Sequence, residues 1–381
     1  MKYRIPFNKP FIIGRELDYV VQSVESGHSS GDGKFTRKCQ QLMQQCFDAR
    51  QVLLTTSCTH ALEMAAILCE FKPGDEVILP SYTFTSTANA FALHGASLKF
   101  ADIRPDTLNL DESKLEELIT DQTRAIACVH YAGVACDMDA IKVLANKHGL
   151  IVIEDAAQGV NAKYKGAYLG TIGDLGAYSF HETKNFICGE GGAFVINDER
   201  FAERAEVIRE KGTNRSQFFR GQVDKYTWVD VGSSYLPSDI LAAFLYAQLE
   251  NMTVITRKRR KIFELYSQEL QPLMDEGMLK LPLIPEQCES NYHMFYILLA
   301  DANVRDALIA HLGRVGILAV FHYMPLHTSP MGVKIGCRRG ALPVTENISE
   351  RVLRLPFYFG LSEQEVSEVA GEIKRFFSNK A

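Results

Sequence analysis

The sequence contains no apolar stretch near the ~20 residues that span a bilayer. Its first ten residues hold charges and two prolines instead of an apolar leader segment. Excess positive charge is also missing, since 41 Lys and Arg residues against 46 Asp and Glu give a formal net charge of −5. The basic surface typical of nucleic-acid binding is therefore not expected. We expect a cytoplasmic protein that binds neither membranes nor nucleic acid.

Disulfide and metal signatures are absent as well. The nine cysteines are odd in number and include no C-x-x-C pair, so we expect reduced thiols and no metal site. Low-complexity tracts and internal repeats are also missing. What is present, 46% hydrophobic and 23% charged residues, is typical of a globular enzyme. A length of 381 residues exceeds the usual size of one core and predicts two domains.

The order of apolar runs predicts how these domains are built. From about residue 50 to 200, short apolar runs alternate with helix-like stretches, which indicates an α/β domain with a largely parallel sheet. Long charged helices follow, one of them predicted over 238–270. The remainder mixes helices with short strands, one of them at 318–322. We predict a large domain over residues 1–250, with an N-terminal arm, and a small C-terminal α+β domain over 251–381.

Polar groups stand where three of the predicted strands end. Asp155 follows an apolar strand, where open α/β sheets place ligand sites, although an aspartate there can equally cap a following helix. Thr55–Ala61 leads into a helix whose first N–H groups suit an anion such as phosphate, with Thr59 as the expected N-cap. Lys184 precedes a glycine-rich turn and could point into a cleft, although most isolated lysines are solvated surface charges.

Five motifs in order give the chain a resemblance, over essentially its whole length, to the sugar-nucleotide aminotransferases of the fold-type I pyridoxal-phosphate superfamily. They are IPF at 5–7, SCT at 57–59, PSYTF at 80–84, EDAAQ at 154–158, and SFH at 179–181 followed by Lys184. The resemblance implies a mostly parallel central sheet flanked by helices, plus a smaller C-terminal α+β domain. It also implies pyridoxal 5′-phosphate as cofactor and a homodimer with shared active sites.

The resemblance implies a role for each matching residue. Lys184 would bind the cofactor as a Schiff base and then act as general base, which requires a neutral amine. Asp155 would keep the pyridinium nitrogen protonated, so that the ring can act as an electron sink. Gln158 would hydrogen-bond the ring hydroxyl, and Phe84 would cover one ring face unless it is an ordinary core residue. The phosphate would contact Thr59, His60 and Ser179, with Cys58 either touching the ligand or packing beneath it.

The same resemblance implies transfer of an amino group from L-glutamate to the 4-keto group of dTDP-4-dehydro-6-deoxy-D-glucose. Arg215 and Arg220 lie in a basic, aromatic-rich stretch that could grip the nucleotide diphosphate, or that could be a solvated loop. His322 could approach the sugar or be a satisfied histidine of the small domain. Leu236 stands where many relatives lend a polar side chain to the partner subunit, so Ser234 or backbone groups would replace that contact.

Several alternatives stay open on sequence grounds. Amination at a 3-keto position, of a sugar on another nucleotide, or with the gluco instead of the galacto configuration would leave the same motifs. A related dehydratase would carry histidine in place of Lys184. A noncatalytic regulator that binds pyridoxal phosphate would normally carry an added DNA-binding domain. A nicotinamide-dependent oxidoreductase is disfavoured, because Gly189–Gly192 lacks the G-x-G-x-x-G order.

Overall fold

The structure is a computed structural model that describes residues 3–378. Its helices are α1 Glu16–Glu25, α2 Lys34–Phe47, α3 Cys58–Leu68, α4 Thr85–Ala92, α5 Leu115–Leu118, α6 Met138–His148, α7 Ala202–Arg209, α8 Arg215–Phe219, α9 Asp239–Glu250, α10 Met252–Asp275, α11 Ala302–Arg314, α12 Pro330–Lys334, α13 Pro343–Arg351 and α14 Glu363–Ser378. Its strands are β1 Gln51–Thr55, β2 Glu76–Pro80, β3 Ser97–Ala101, β4 Thr123–Val129, β5 Ile151–Asp155, β6 Lys163–Tyr164, β7 Ala167–Tyr168, β8 Leu175–Ser179, β9 Gly192–Ile196, β10 Cys288–Glu289, β11 Tyr296–Leu298 and β12 Val352–Arg354.

The central feature is a seven-stranded sheet in the order β1-β9-β8-β5-β4-β2-β3. All neighbouring strands from β8 to β3 pair in parallel, whereas β9 is antiparallel to both of its neighbours. β8 and β9 are joined directly by the loop over 180–191, which contains no helix and reverses the chain between them. The predicted α/β class with a mostly parallel sheet is confirmed.

Two hydrophobic cores cover the two faces of this sheet. Successive side chains of a strand point to opposite faces, so on β5 Val152 packs into one core and Ile153 into the other. Because both faces are covered, most residues of these strands are apolar. The polar residue Asp155 is placed at the end of β5, where the sheet stops.

A third core lies in the C-terminal part of the chain, among α10, α11, α14 and the β11–β12 pair. Ile5 packs into this core and forms a bridge with Ile317, so the N-terminal segment contacts the C-terminal part. The domain boundary at residue 250 stays a prediction. No helix among residues 3–378 is both long and apolar enough to cross a membrane.

Two predicted elements are wrong. The single helix over 238–270 is two helices, because Asn251 leaves the helical conformation at φ −110° and ψ 17° and ends α9 before α10 begins. The strand at 318–322 does not form. There only Val320 exchanges backbone hydrogen bonds with Arg354, and the residues after it turn to the cavity described below.

Candidate active site

A cavity of about 790 Å³ opens at the carboxyl ends of the parallel strands. Val129, Asp155 and Ser179, the last residues of β4, β5 and β8, all line it. The loops after β1 and β2 complete this side, and residues from the C-terminal part of the chain close the other. Doubly wound sheets bind ligands at this edge, because strand-end loops and helix N-termini converge there.

The N-terminus of α3 forms one end of the cavity. Ser57 is its N-cap and accepts a hydrogen bond from the His60 N–H at 3.1 Å, so the expected cap by Thr59 is wrong. The first N–H groups of a helix have no partner within the helix, which leaves those of Cys58 and Thr59 for a ligand. The positive end of the helix dipole favours an anion at this place.

Gly192 lets β9 pass directly beneath that helix start. A Cβ at Gly192 would lie 2.3 Å from the Ser57 carbonyl carbon and 2.4 Å from the Cys58 nitrogen. No side chain fits in that space. Gly192, the last glycine of the glycine-rich turn after Lys184, therefore determines how closely the start of α3 approaches the sheet.

Asp155 is buried at the end of β5. Its Oδ2 accepts from the Thr87 hydroxyl at 2.7 Å, and its Oδ1 accepts from the Ala157 N–H at 3.1 Å. The Thr87 hydroxyl has one hydrogen and donates it to the carboxylate. In the 2.8 Å contact between the two threonine hydroxyls, Thr83 is therefore the donor and Thr87 the acceptor. The chain after Asp155 forms a turn and no helix, so the helix-cap alternative is wrong. A carboxylate has about four acceptor positions, so Asp155, which lines the cavity, keeps acceptor capacity beyond these two hydrogen bonds.

The side chain of Gln158 is held in one orientation. Its Oε1 accepts from the Ala132 N–H at 2.7 Å, which fixes Nε2 on the other side of the amide. Nε2 then donates to the Tyr323 hydroxyl at 2.9 Å. One further N–H of Nε2 remains, so Gln158 presents a donor to a ligand in the cavity.

Lys184 lies on the loop between β8 and β9 and lines the cavity. Its own N–H donates to the His181 carbonyl, and three backbone hydrogen bonds between 180–182 and 188–191 close the loop. Burial lowers the pKa of the Lys184 ammonium, and the positive charge of Arg354 lowers it further against the opposing effect of Cys58 and Asp155. The amine is therefore easier to deprotonate than that of an ordinary lysine.

Two other predicted residues line the same cavity. Phe84 is 59% exposed and faces the opening, so the alternative of an ordinary core phenylalanine is wrong. Cys58 reaches the cavity wall and is otherwise packed in the core beside α3. Burial raises the pKa of the Cys58 thiol well above its usual value, so it remains a neutral thiol.

The C-terminal part of the chain contributes a polar aromatic wall. His322 Nδ1 and the Tyr131 hydroxyl share a hydrogen bond of 2.7 Å. The His322 ring also stacks on Tyr323, with ring centroids 3.7 Å apart. His293 lines the cavity nearby and is held by Asn185 at 3.0 Å. Burial lowers the pKa of both histidines well below the usual value, so both rings are neutral.

Four predicted ligand residues lie away from the cavity of this chain. The His60 ring is bonded to Thr56 and packs 5.1 Å from the Tyr235 ring. Ser234 is exposed outside the cavity lining. Arg215 forms an ion pair with Glu210, and Arg220 forms one with Glu206. None of these four residues lines the cavity within one chain.

Sequence reasoning missed several residues that the structure brings to the cavity. Thr87 and Tyr323 were within reach, because they stand beside the PSYTF motif and next to His322. His293 and Arg354 carried no local signal, since neither lies near a predicted site segment. Their positions depend on how the C-terminal part packs against the sheet.

Comparison with known proteins supplies a family. The DegT/DnrJ/EryC1/StrS aminotransferase family matches residues 10–374. The chain is 31% identical to GDP-perosamine synthase from Escherichia coli O157:H7 over 384 residues, with 100% of both chains covered. It is also similar to the crystal structure of the aminotransferase TlmJ from Streptoalloteichus hindustanus, with a TM-score of 0.89, 30% identity and 99% of both chains covered. The PLP-form of Spr1654 from Streptococcus pneumoniae matches with a TM-score of 0.91 and 25% identity over 99% of both chains.

Proposed function

We propose a substrate and an amino donor for this chain, which belongs to the DegT/DnrJ/EryC1/StrS aminotransferase family. Like the family, it is a sugar aminotransferase and depends on pyridoxal phosphate. The proposed reaction moves the amino group of L-glutamate to the 4-keto group of dTDP-4-dehydro-6-deoxy-D-glucose. The product is a dTDP-4-amino-4,6-dideoxyhexose, with the galacto configuration favoured.

The observation that carries the proposal is that Lys184, Asp155 and an anion-binding helix start face one cavity. Pyridoxal phosphate carries a phosphate, a ring nitrogen and a ring hydroxyl, and the cavity offers a different protein group to each of them. Cys58 and Thr59 offer N–H groups for a phosphate, and Ser179 lines the same end. Asp155 offers an acceptor for a ring N–H, and Gln158 offers a donor for a ring hydroxyl. The residues present therefore fit the cofactor, which when bound supplies an electron sink for the substrate carbon.

We assign the proton transfer to Lys184. Its amine must lose a proton before it can attack a carbonyl or take a proton from carbon, and the lowered pKa makes that form more abundant near neutral pH. The short loop between β8 and β9 holds the lysine at the cavity wall. Lys184 Nζ would thus carry the proton between the substrate carbon and the cofactor.

Asp155 and Gln158 would orient the ring. The Thr87 hydroxyl and the Ala157 N–H both donate to Asp155 and fix the orientation of its carboxyl group. An ionised carboxylate keeps a ring N–H protonated, which preserves the positive charge of the electron sink. Because Gln158 can only donate toward the cavity, it favours an oxygen acceptor on the ring. Phe84 would cover one ring face from the cavity opening.

The choice of sugar rests on resemblance within the family. The segments HYAGVAC at 130–136, FHETKN at 180–185 and KGTNRSQFFR at 211–220 resemble those of dTDP-4-amino-4,6-dideoxygalactose transaminase. The relative named GDP-perosamine synthase points to a different nucleotide, so amination of another nucleotide-linked keto sugar is the alternative within the family. A noncatalytic regulator is less well supported, because the cavity keeps both a lysine and a carboxylate suited to catalysis.

We also propose a homodimer in which each subunit completes the other's site. Arg215 and Arg220 border a surface run of apolar side chains with no cover in one chain. Within it Phe219, Trp228 and Val231 are 69%, 77% and 55% exposed. An exposed run of this size is typical of an interface. Across it, these arginines and Ser234 would reach the partner's cavity and hold the nucleotide diphosphate.

The first test is an absorption spectrum of the purified protein with pyridoxal phosphate, before and after L-glutamate. We expect a visible band from the lysine-bound cofactor that gives way to the near-ultraviolet band of the aminated form. Addition of dTDP-4-dehydro-6-deoxy-D-glucose should restore the visible band. A visible band that glutamate leaves unchanged would show that the donor is wrong. Restoration only by a GDP- or UDP-linked sugar would contradict the proposed substrate.

A further inference from the structure

We propose that Arg354 binds a carboxylate of the amino-acid donor, an inference that rests on the proposed transamination. Arg354 is the last residue of β12 and lines the cavity together with Lys184. Neither a motif nor a neighbouring polar segment marked it in the sequence. Its role follows from what surrounds its guanidinium group.

The guanidinium of Arg354 is bonded on one side only. Nε and Nη2 share a single acceptor, the Phe321 carbonyl oxygen, at 3.4 and 3.2 Å. The Phe7 ring lies beneath, with its centroid 4.6 Å from Cζ. A guanidinium has five N–H donors, so both N–H groups of Nη1 and one of Nη2 remain unbonded among the described residues. Those donors are available to a ligand.

No carboxylate between residues 3 and 378 forms an ion pair with Arg354. Its titratable neighbours are Lys184, the neutral His293 and His322, and three tyrosines that are neutral phenols because burial raises their pKa values. Burial lowers the pKa of the Arg354 guanidinium itself. Arg354 is half-buried, and a cation that loses part of its hydration without a partner carries a desolvation cost that an anionic ligand would offset.

Arg259 shows what a structural arginine looks like in the same part of the chain. It is 3% exposed and donates to the Tyr292 and His293 carbonyls at 2.9 and 2.6 Å. Its Cζ also lies 4.8 Å from the Phe357 ring centroid. Arg259 does not line the cavity, whereas Arg354 does and keeps unbonded N–H donors. Arg354 is therefore placed for a ligand, beyond any contribution to packing.

Arg354 lines the same cavity as Lys184, and this position indicates which anion Arg354 binds. Arg354 acts on Lys184 through its charge, which is one cause of the lowered lysine pKa. The α-carboxylate of an amino acid is bonded to the carbon that carries the reacting amine. The diphosphate of the proposed nucleotide sugar is attached across the ring from the 4-keto carbon. The cofactor phosphate has its own site at the start of α3. A planar guanidinium also matches a carboxylate with two parallel hydrogen bonds.

The experiment compares Arg354→Gln and Arg354→Lys with the wild-type holoenzyme. Arg351→Gln is the matched control, because Arg351 lies three residues earlier, bonds the Leu299 carbonyl and does not line the cavity. Two quantities are measured: KM for L-glutamate in the spectroscopic half-reaction, and the dissociation constant of glutarate, which has carboxylates and no amine, by calorimetry. Thermal unfolding checks that each variant is folded.

We expect Arg354→Gln to raise both constants about 10–100-fold, as for loss of charge-assisted hydrogen bonds. The rate at saturating glutamate should change much less. Arg354→Lys should recover part of the affinity, and Arg351→Gln should match the wild type. An equal loss with L-alanine as donor identifies the α-carboxylate, and a loss confined to L-glutamate identifies the side-chain carboxylate.

Unchanged constants for glutamate and glutarate would overturn the inference. A loss of affinity for dTDP in place of glutarate would also overturn it and assign Arg354 to the nucleotide. Failure of the proposed function is distinguishable, because it would already be seen in the wild type. If the wild-type enzyme accepts only another amino acid, the donor assignment fails while the same comparison with that amino acid still tests Arg354.

Discussion

The Gln158 amide donates a hydrogen bond to the Tyr323 hydroxyl across 2.9 Å. This contact joins the turn after β5 to the C-terminal part of the chain, 165 residues later. Tyr323 in turn stacks on His322, which is bonded to Tyr131. Because the Ala132 N–H holds the other end of the amide, Tyr323 and Ala132 together decide which group Gln158 presents to the cavity.

Replacement of Tyr323 by phenylalanine should loosen the Gln158 amide without removing the aromatic wall. Loss of one neutral hydrogen bond costs about 1 kcal/mol, so the dissociation constant of pyridoxal phosphate should rise roughly fivefold. Fluorescence titration of the apoprotein measures this. Tyr168→Phe is the control, since Tyr168 is half-buried outside the cavity. Equal affinities in wild type and Tyr323→Phe would remove Tyr323 from the cofactor site.

Replacement of Lys184 by alanine should abolish turnover, because no other lysine lines the cavity in the described part of the chain. The visible band of the lysine-bound cofactor should also be lost, while noncovalent binding persists through the helix start and Asp155. Absorption spectroscopy and a steady-state assay measure the two effects. Lys147→Ala is the matched control, since its ammonium pairs with Glu116 at the surface. Near-normal turnover in Lys184→Ala would overturn the assigned role.

The lowered pKa of Lys184 predicts how stability of the apoprotein changes with pH. An unfolded lysine titrates near ~10.4, so between the folded and unfolded pKa values the unfolded chain binds more protons and stability rises with pH. Below the folded pKa the full cost of the buried ammonium is present. Lys184→Met should therefore unfold at a higher temperature than wild type at pH 7, and the difference should shrink toward pH 10. A constant difference across that range would contradict the shift.

Replacement of Asp155 by asparagine should lower turnover severely while the protein stays folded. The amide can still accept from Thr87, so the local hydrogen bonds persist in part. It carries no charge to hold the ring nitrogen protonated, and loss of a buried charge partner costs about 3–5 kcal/mol, or roughly 10²–10⁴-fold in rate. Steady-state kinetics measure the change. Asp139→Asn, at a surface ion pair with Lys165, should leave the rate unchanged.

Replacement of Gly192 by alanine should destabilise the fold by about 1–3 kcal/mol, because the new methyl group would overlap the Ser57 and Cys58 backbone. Movement of the α3 start should also weaken cofactor phosphate binding. Urea unfolding measures the first effect. Gly371→Ala is a control of opposite sign: no atom lies within 4 Å of its Cβ position on α14, so it should stabilise by about 0.5–1 kcal/mol. Two variants of equal stability would contradict the packing argument.

Local patterns were sufficient for most of the sheet and for one half of the site. The alternation of short apolar runs with helix-like stretches from about residue 50 to 200 predicted the mostly parallel sheet, because turn residues flank those runs. Lys184 and Asp155 were found because each follows a strand on its own segment. The helix over 238–270 was wrong because Asn251 interrupts a periodicity that continues on both sides.

The sequence by itself determined the α/β class, the strand end that carries Asp155, and the helix start that offers N–H groups. These depend on neighbours a few residues apart, so side-chain period and capping chemistry are enough to predict them. Only the tertiary structure decided that Tyr323 orients Gln158 and that Arg354 stands in the cavity without a carboxylate partner. Such contacts join residues far apart in the chain, and packing of the C-terminal part against the sheet brings them together.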